Sequence, residues 1–339
     1  MRVFVTGGAG FIGSHTLVQL MRKGADVLSY DNYCNSSPEA LSRVKRLAQS
    51  DLAIVEGDIC DPGALERAMG DFKPDAVIHF AGLKAVGESA EKPLTYYKNN
   101  IAGSIALLEV MNKIGCSKIV FSSSATVYDP DKPFPFTEDT PLKAASTYGR
   151  TKHFIEDIIR DWSAATPGSS AAVLRYFNPV GAHASGDIGE DPVGIPNNLL
   201  PYISRVAQGS LKELQVFGDC YDTADGTGAR DYIHVEDLAG AHLAALEYIA
   251  GAKGCETFNI GTGTATTVLA MIRAFEAATE QSVPYRITGP RAGDVSTTVA
   301  NPSKAEQVLG WKAEHDIEAM CRSVWNWQVR NPNGYRTPE

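Results

Sequence analysis

The stretch Thr6-Gly7-Gly8-Ala9-Gly10-Phe11-Ile12-Gly13 follows a short apolar run at 3–5 and opens an amphipathic segment. Glycines therefore stand at 7, 10 and 13 between a predicted strand and a predicted helix. Glycine allows a tight turn and lets backbone approach a pyrophosphate, which the helix N-terminus meets with free amides and a partial positive charge. Glycines alone mark only a turn. In the order strand, turn, helix they mark a dinucleotide site built on Gly7, Gly10 and Gly13. Leu17, Leu20 and Met21 fall at i, i+3 and i+4 of that helix, and Gly24 is placed to close it. A second run, 27–30, ends on Asp31, 18 residues after Gly13. A carboxylate there accepts hydrogen bonds from an adenosine ribose and repels a 2′-phosphate, which favours NAD over NADP.

Further apolar runs at 53–55, 76–80, 119–121 and 172–174 alternate with helical stretches, one opened by Asp61-Pro62 and one spanning 93–114. The pattern predicts an α/β fold with a Rossmann-type doubly wound parallel sheet and a smaller C-terminal substrate-binding α/β lobe. At 339 residues the chain exceeds the roughly 250–300 at which single cores divide. After Phe177 the texture turns to loops rich in Gly, Pro and Asn, so 1–177 is expected to hold the cofactor and 178–339 mainly the substrate. Segments around 231–260, including a helical pattern at 236–250, are expected to return to the first domain. Residues 332–339 read as a frayed tail.

A formal charge of −9 argues against a nucleic-acid partner. No run approaches the ~18 apolar residues of a membrane span, so no membrane partner is expected. The N-terminus enters a buried strand directly rather than a signal core, and the six cysteines are at least 26 residues apart. Reduced thiols and a cytoplasmic location follow. The seven histidines contain no His-Glu-x-x-His pattern and no acidic loop has calcium spacing, so no metal is expected.

Chance supplies a Tyr-x-x-x-Lys spacing about 0.6 times in a chain with this much tyrosine and lysine, and this one has two. Tyr128 and Lys132 enclose Pro130, which cannot sit inside a helix, so their side chains need not share a face. Tyr148 and Lys152 instead open a helical pattern continued by Ile155, Ile158 and Ile159, which sets them one turn apart on one face. A tyrosine titrates near 10, so acting as a base requires nearby positive charge, which the Lys152 ammonium and an oxidised nicotinamide supply. Ser122-Ser123-Ser124 ends the fifth run, where open α/β sheets bind ligands, and Ser124 is the hydroxyl selected to hold a reacting alcohol.

Gly7-x-x-Gly10-x-x-Gly13, Ser124 and Tyr148-x-x-x-Lys152 together resemble the extended short-chain dehydrogenase/reductase family. Longer segments narrow the likeness: His79-Phe80-Ala81-Gly82-Leu83-Lys84 and on to Ser89, Arg175-Tyr176-Phe177-Asn178-Pro179 and on to His183, Gly194-Ile195-Pro196-Asn197-Asn198-Leu199, and Gly226-Thr227-Gly228-Ala229-Arg230-Asp231 and on to Val235. These are similar to the branch of the family that interconverts UDP-glucose and UDP-galactose. The resemblance covers nearly the whole chain. It implies a redox cycle without net redox, in which Tyr148 takes the 4-hydroxyl proton while C4 gives a hydride to tightly held NAD. A transient 4-keto sugar then turns its other face, and hydride and proton return with inverted configuration.

The resemblance implies cofactor contacts from Phe11, Ile12, Asn32, Asn35 and Ser36 beside the glycines and Asp31. Others come from Asp58, Ile59, Phe80, Ala81, Gly82, Lys84, Asn99, Ser124, Tyr148, Lys152 and Phe177. For a UDP-hexose substrate it implies Lys84, Ser124, Tyr148, Asn178, Asn198 and Leu199, with Gln215, Val216, Phe217, Arg230, Arg291, Asp294 and Thr298. A homodimer is implied as well. Arg230 and Arg291 suit a diphosphate because a guanidinium fork makes charge-assisted bonds to it.

Many members carry a bulky Tyr near the sugar C2 position, four residues after the Asp matched by Asp294, where this chain has Thr298. A wider pocket and acceptance of UDP-N-acetylglucosamine and UDP-N-acetylgalactosamine are expected. Thr297 is also small, should the register slip by one. Asp129 and Arg150 replace the family's usual Gly and Lys. A rival UDP-sugar dehydratase needs an acidic pair after the serine strand, where Ala125 and Thr126 stand, and a non-enzymatic NAD-sensing regulator has little use for the Tyr–Lys pair.

Overall fold

All six apolar runs of the first half form strands: β1 (Arg2–Thr6), β2 (Asp26–Asp31), β3 (Ala53–Glu56), β4 (Ala76–His79), β5 (Lys118–Ser124) and β6 (Ser170–Tyr176). They belong to a computed structural model that describes residues 1–336 except Val193, Ile195, Asn197, Ala292 and Gly293. Ile195 and Asn197 of the 194–199 segment thus lie outside the described residues. The chain continues through β7 (Asn178–Val180), β8 (Leu214–Phe217), β9 (Ala229–His234), β10 (Gly254–Ile260), β11 (Ala265–Thr267), β12 (Tyr285–Thr288) and β13 (Thr297–Thr298).

The main sheet runs β10-β6-β5-β4-β1-β2-β3 with every neighbour parallel. β10 is not among the predicted runs, because Glu256 and Thr257 break its apolar texture, yet Phe258 and Ile260 are fully buried. Strand order reverses between β1 and β4, which opens a crevice at their carboxyl ends. Side chains alternate across the sheet. Val3, Val5 and Ile78 pack with Leu17, Leu20 and Leu238 on one face, and Phe4, Val77 and Phe121 with Leu107, Ile155 and Ile159 on the other.

Local chemistry sets the element ends. Asp61 Oδ1 accepts from the Ala64 amide and caps the Pro62–Phe72 helix, and Gly24, at φ +78°, follows the Phe11–Arg22 helix. The predicted 93–114 helix is present but contains a π turn, Tyr97–Ala102, between Pro93–Tyr96 and Gly103–Ile114. Such a bulge is common at functional sites, and this one carries Asn99 and Asn100. Beyond β7, the Leu199–Ala207, Val268–Thr279 and Ile317–Arg330 helices enclose a third core around Ile203, Phe275 and Val324. The Val235–Gly251 helix instead packs on the Phe11–Arg22 helix, where Gln19 Nε2 donates to Glu236 O at 2.9 Å.

The frayed tail expected over 332–339 is corrected as far as Tyr335, while 337–339 lie outside the described residues. The ring of Tyr335 packs tilted against Trp327, its hydroxyl donates to Gly189 O at 3.2 Å, and its amide donates to Asp191 Oδ2 at 2.9 Å. An aromatic anchor at Tyr335 outweighs the polar composition around it. Among the described residues no helix is long and apolar enough to cross a membrane, and no group of three or more His, Cys, Asp or Glu is placed to hold a metal ion.

Four buried histidines make the fold acid-sensitive. Burial pushes His15, His79 and His234 down to about 3 and His242 to about 4. Their folded-state values lie below the ordinary ~6.5, so stability is full above that pH and is lost as pH falls and the unfolded chain binds protons. Between pH 7 and pH 5 a ring held this low removes up to about 2 kcal/mol. Thermal melts from pH 8 to pH 5 should show a steep fall below pH 6. A flat Tm between pH 7 and pH 5 would contradict this.

Candidate active site

The turn after β1 holds its shape only with glycine. Gly7 has φ +72°, and a Cβ on it would lie 2.7 Å from the Ala81 amide nitrogen; one on Gly13 would lie 2.3 Å from Gly7 O. Gly10 begins the Phe11–Arg22 helix with no side-chain cap, which leaves that positive end without a capping side chain of its own. Phe11 and Ile12 form its first turn. Asp31 at the end of β2 does more than the sequence shows: Oδ2 accepts from the Ala9 amide at 2.9 Å, while Oδ1 accepts from Tyr33 N and from Ser36 Oγ at 2.8 Å. It fixes the glycine turn, and Oδ2 keeps a lone pair for a ribose hydroxyl.

Asn32 Nδ2 donates to Asp58 Oδ2 at 2.9 Å, and Asp58 Oδ1 accepts from Cys60 N at 2.7 Å. Burial raises the Asp58 carboxyl, but these bonds outweigh it and hold it below the usual carboxylate range. Ile59 is buried against Gly103, and Asn35 is exposed at the rim. After β4, the Phe80-Ala81-Gly82-Leu83-Lys84 loop is pinned by buried Asn100, whose Oδ1 accepts from Leu83 N at 2.8 Å and whose Nδ2 donates to Leu83 O at 3.0 Å and Thr151 Oγ1 at 3.1 Å. Asn99 Nδ2 joins the same Oδ1 at 2.9 Å. Asn100 carried no motif signal; only the fold reveals it. A turn too tight for any Cβ, a helix end without a side-chain cap and a carboxylate at the β2 terminus are what a dinucleotide requires, and these residues fit one.

Tyr148 and Lys152 sit in the first two turns of the Thr147–Ala165 helix, whose cap Ser146 accepts from Gly149 N at 3.0 Å. Lys152 Nζ donates to Ser122 O at 2.7 Å and lies 5.9 Å from the centre of the Tyr148 ring. Ser124 ends β5 beside them, its Oγ accepting from Thr126 N at 3.2 Å and Thr126 Oγ1 at 3.0 Å. The catalytic trio expected from sequence therefore converges. Its titration is less favourable than expected: burial pushes the Tyr148 phenol up to about 12, a hydrogen bond with Ser124 opposing, and pulls the Lys152 ammonium down to about 8. The other pair does not form a site. Tyr128 is buried with its hydroxyl on Asn259 Oδ1 at 2.5 Å, and Lys132 lies in a turn with its amide on Asp129 O.

A second cluster gathers the cations of the other half. Arg230 Nη2 donates to Asp294 Oδ1 at 2.8 Å, Arg291 Nε lies 3.7 Å from Asp294 Oδ2, and the Arg291 guanidinium lies 4.1 Å from the Phe217 ring centre. β13 pairs with β9 so that Thr298 neighbours Arg230, while Thr297 is buried. Gln215 is exposed on β8, but Val216 alternates inward and is buried in the third core. The expected Val216 contact is thereby restricted to its backbone. Asn178 Nδ2 donates to Asp231 O at 3.1 Å, Phe177 is buried, and Leu199 opens its helix.

Two bridges join the clusters. Glu190 Oε1 accepts from Asn198 Nδ2 at 2.7 Å and faces Lys84 Nζ at 3.5 Å, linking two expected contact residues through a carboxylate that sequence reasoning missed. Phe136, in the loop between Ser124 and Tyr148, exchanges backbone bonds of 2.8 Å with Val299 and Asn301, which ties Thr298 to the trio.

Over residues 3–261 the sequence matches the NAD dependent epimerase/dehydratase family. The chain belongs to that family. The chain is 52% identical over 339 residues to the UDP-glucose 4-epimerase of Bacillus subtilis, with both chains covered in full. The crystal structure of UDP-glucose 4-epimerase from Bifidobacterium longum, in complex with NAD+ and UDP, superposes with a TM-score of 0.95 at 52% identity, covering 98% of this chain and 100% of that one. The UDP-Glc/GlcNAc 4-epimerase of Campylobacter jejuni superposes with a TM-score of 0.85 at 33% identity, covering 97% and 99%. As a member of the epimerase/dehydratase family the chain is an NAD-dependent enzyme with the Rossmann-type sheet, and the isomerase class expected from sequence is upheld by these relatives.

Proposed function

We propose that the chain interconverts UDP-glucose and UDP-galactose by inverting C4, and that it also accepts the N-acetylated pair. The observation that carries this is the convergence of Ser124, Tyr148 and Lys152 at the sheet end beside the glycine turn. Bound NAD supplies the hydride acceptor and donor. Tyr148 takes the 4-hydroxyl proton and later returns it, so it serves as base and then as acid. Because Ser124 Oγ receives two bonds from Thr126, its own hydrogen is left to hold the sugar oxygen or the phenolate. Lys152, fixed on Ser122 O, contributes the positive charge that stabilises that phenolate.

Arg230 and Arg291 hold the diphosphate, Asp294 accepts from ribose hydroxyls and Phe217 packs on the uridine side, with Asn178, Asn198, Leu199, Gln215 and the Val216 backbone around the nucleotide. Cofactor chemistry belongs to 1–177 and substrate binding mainly to 178–339, with 231–260 returned to the first domain. The free cysteines fit a reducing cytoplasmic setting. The absence of any carboxylate at Ala125 and Thr126 favours epimerisation over elimination.

Incubating purified protein with UDP-galactose and no added NAD should yield UDP-glucose. A stable ketosugar product would instead indicate a dehydratase, and bound NAD without exchange at C4 a regulator. We also propose a homodimer formed through the exposed apolar side chains of the 93–114 and 147–165 helices, Leu94, Ile105 and Phe154. Phe154→Glu should convert the sedimenting species from dimer to monomer; a wild-type protein already monomeric at micromolar concentration would refute this.

A further inference from the structure

We infer that Glu156 is a positioning residue for this reaction: its buried carboxylate locks the Tyr148–Lys152 helix to the strand carrying Ser124 and supplies the negative charge that keeps Lys152 an ammonium. The inference rests on the function proposed above. Tyr148, Lys152 and Glu156 stand at i, i+4 and i+8, one stripe of the Thr147–Ala165 helix. Glu156 is fully buried, and so is Arg175 but for 2%. Oε1 accepts from Ser123 Oγ at 2.5 Å and Arg175 Nε at 2.9 Å, and Oε2 accepts from Arg175 Nη2 at 2.6 Å and Arg160 Nη2 at 2.8 Å. Ser123 precedes Ser124 on β5 and pairs with Arg175 on β6, so one carboxylate fastens the helix to both strands. Arg175 Nη1 extends the network to Tyr128 Oη at 3.2 Å and Glu138 O at 3.1 Å, in the loop that follows Ser124.

Burial opposes ionisation of Glu156, but the bonds from Arg175, Ser123 and Arg160 hold it below the usual range. It is therefore an anion one turn from Lys152, and its charge is the influence that opposes the burial of that ammonium. Apart from the Arg175 and Arg160 cations bound to Glu156, the titratable groups named beside the pair are neutral. His79 on β4 is held uncharged by burial, and the Tyr148 and Tyr176 hydroxyls and the Cys255 thiol beside Glu156 are pushed up by burial. A carboxylate that only braced the fold would affect melting; one that also sets the charge of Lys152 moves its titration.

The test uses NAD-loaded wild type, Glu156→Gln, the neutral pair Glu156→Gln/Arg175→Gln, and Arg160→Gln, whose side chain lies on the partly exposed flank. Two curves are read: kcat against pH with UDP-galactose, and the pH midpoint for acetylation of Lys152 by acetic anhydride, followed by mass spectrometry. Losing the anion should lower both the alkaline limb and the labelling midpoint by about one pH unit in Glu156→Gln, and by less in the neutral pair, where the Arg175 cation is lost with it. KM should stay within threefold or so. Losing Arg160, which offsets the anion, should move both upward. Should Arg175 left unpaired prevent the single variant from folding, the neutral pair and Arg160→Gln still decide the matter. Limb and midpoint unchanged in the folded variants would overturn the inference. A wild type without epimerase activity would sink the proposed reaction instead, while the labelling midpoints would still judge Glu156.

Discussion

Tyr148→Phe should lower kcat for UDP-galactose by about a thousandfold, in line with what a positioned proton-transfer group contributes, and leave KM nearly unchanged. The substitution is confined to one hydroxyl. The phenylalanine ring keeps the buried packing of Tyr148, the backbone amide keeps its bond to Ser89 Oγ at 3.1 Å, and only the bond to Ser124 is lost. Stability should therefore change by no more than about 1 kcal/mol. In the chain itself the phenol is pushed up to about 12 and Lys152 pulled down to about 8, so neither group is set for its task by burial alone. Any remaining activity should lose its steep dependence on pH, because the base is gone. Stopped assays of UDP-glucose formation at pH 6 to 9, with a melting curve for each protein, make the check. Residual turnover within tenfold of wild type would remove Tyr148 from the role of base.

The parts legible in the sequence were those in which one residue type has a physical reason to occupy one position. Gly7 and Gly13 were legible because backbone approaches of 2.7 Å and 2.3 Å exclude every other residue. The Tyr148–Lys152 pair was legible once Pro130 removed its competitor. The connections were not. Asn100, Glu190 and Ser89 are polar residues in loops or helices with partners far along the chain, Thr151, Lys84 and Tyr148, and their importance exists only after folding brings those partners near. Glu156 lies between: its i+4 spacing from Lys152 was on view, but Arg175 and Ser123 reach it from other strands. Tyr335 shows the reverse error, since a polar, Pro- and Gly-containing ending hid an aromatic that packs under Trp327. β10 stayed hidden because its first three residues are exposed or half-buried on an edge strand and include polar ones, which leaves too short an apolar stretch to read as a run.

On the proposed acceptance of both sugar pairs, substrate width turns on Thr298 rather than Thr297, a choice that the pairing of β13 supports. β13 holds Thr297 opposite Ala229 and Thr298 opposite Arg230, in a parallel pair with β9. Successive strand residues point to opposite faces, and Thr297 is the buried one, so Thr298 shares the side on which Arg230 meets Asp294. Its segment is fastened to the loop between Ser124 and Tyr148 through Phe136, so the backbone there cannot shift to make room for a larger side chain without breaking the bonds of Val299 and Asn301. Thr298→Tyr should therefore fill the space beside the sugar and cut kcat/KM for UDP-N-acetylgalactosamine on the order of a hundredfold, while UDP-galactose changes by no more than a few-fold. Thr297→Tyr should act differently: forcing a phenol into a filled interior costs about 1–3 kcal/mol of stability and lowers Tm without altering the ratio between the two sugars. Measuring both sugars on both variants separates selectivity from damage. If wild type ignores the acetylated sugar, or Thr298→Tyr leaves the ratio where it was, the wall against the acetamido group lies elsewhere in the pocket.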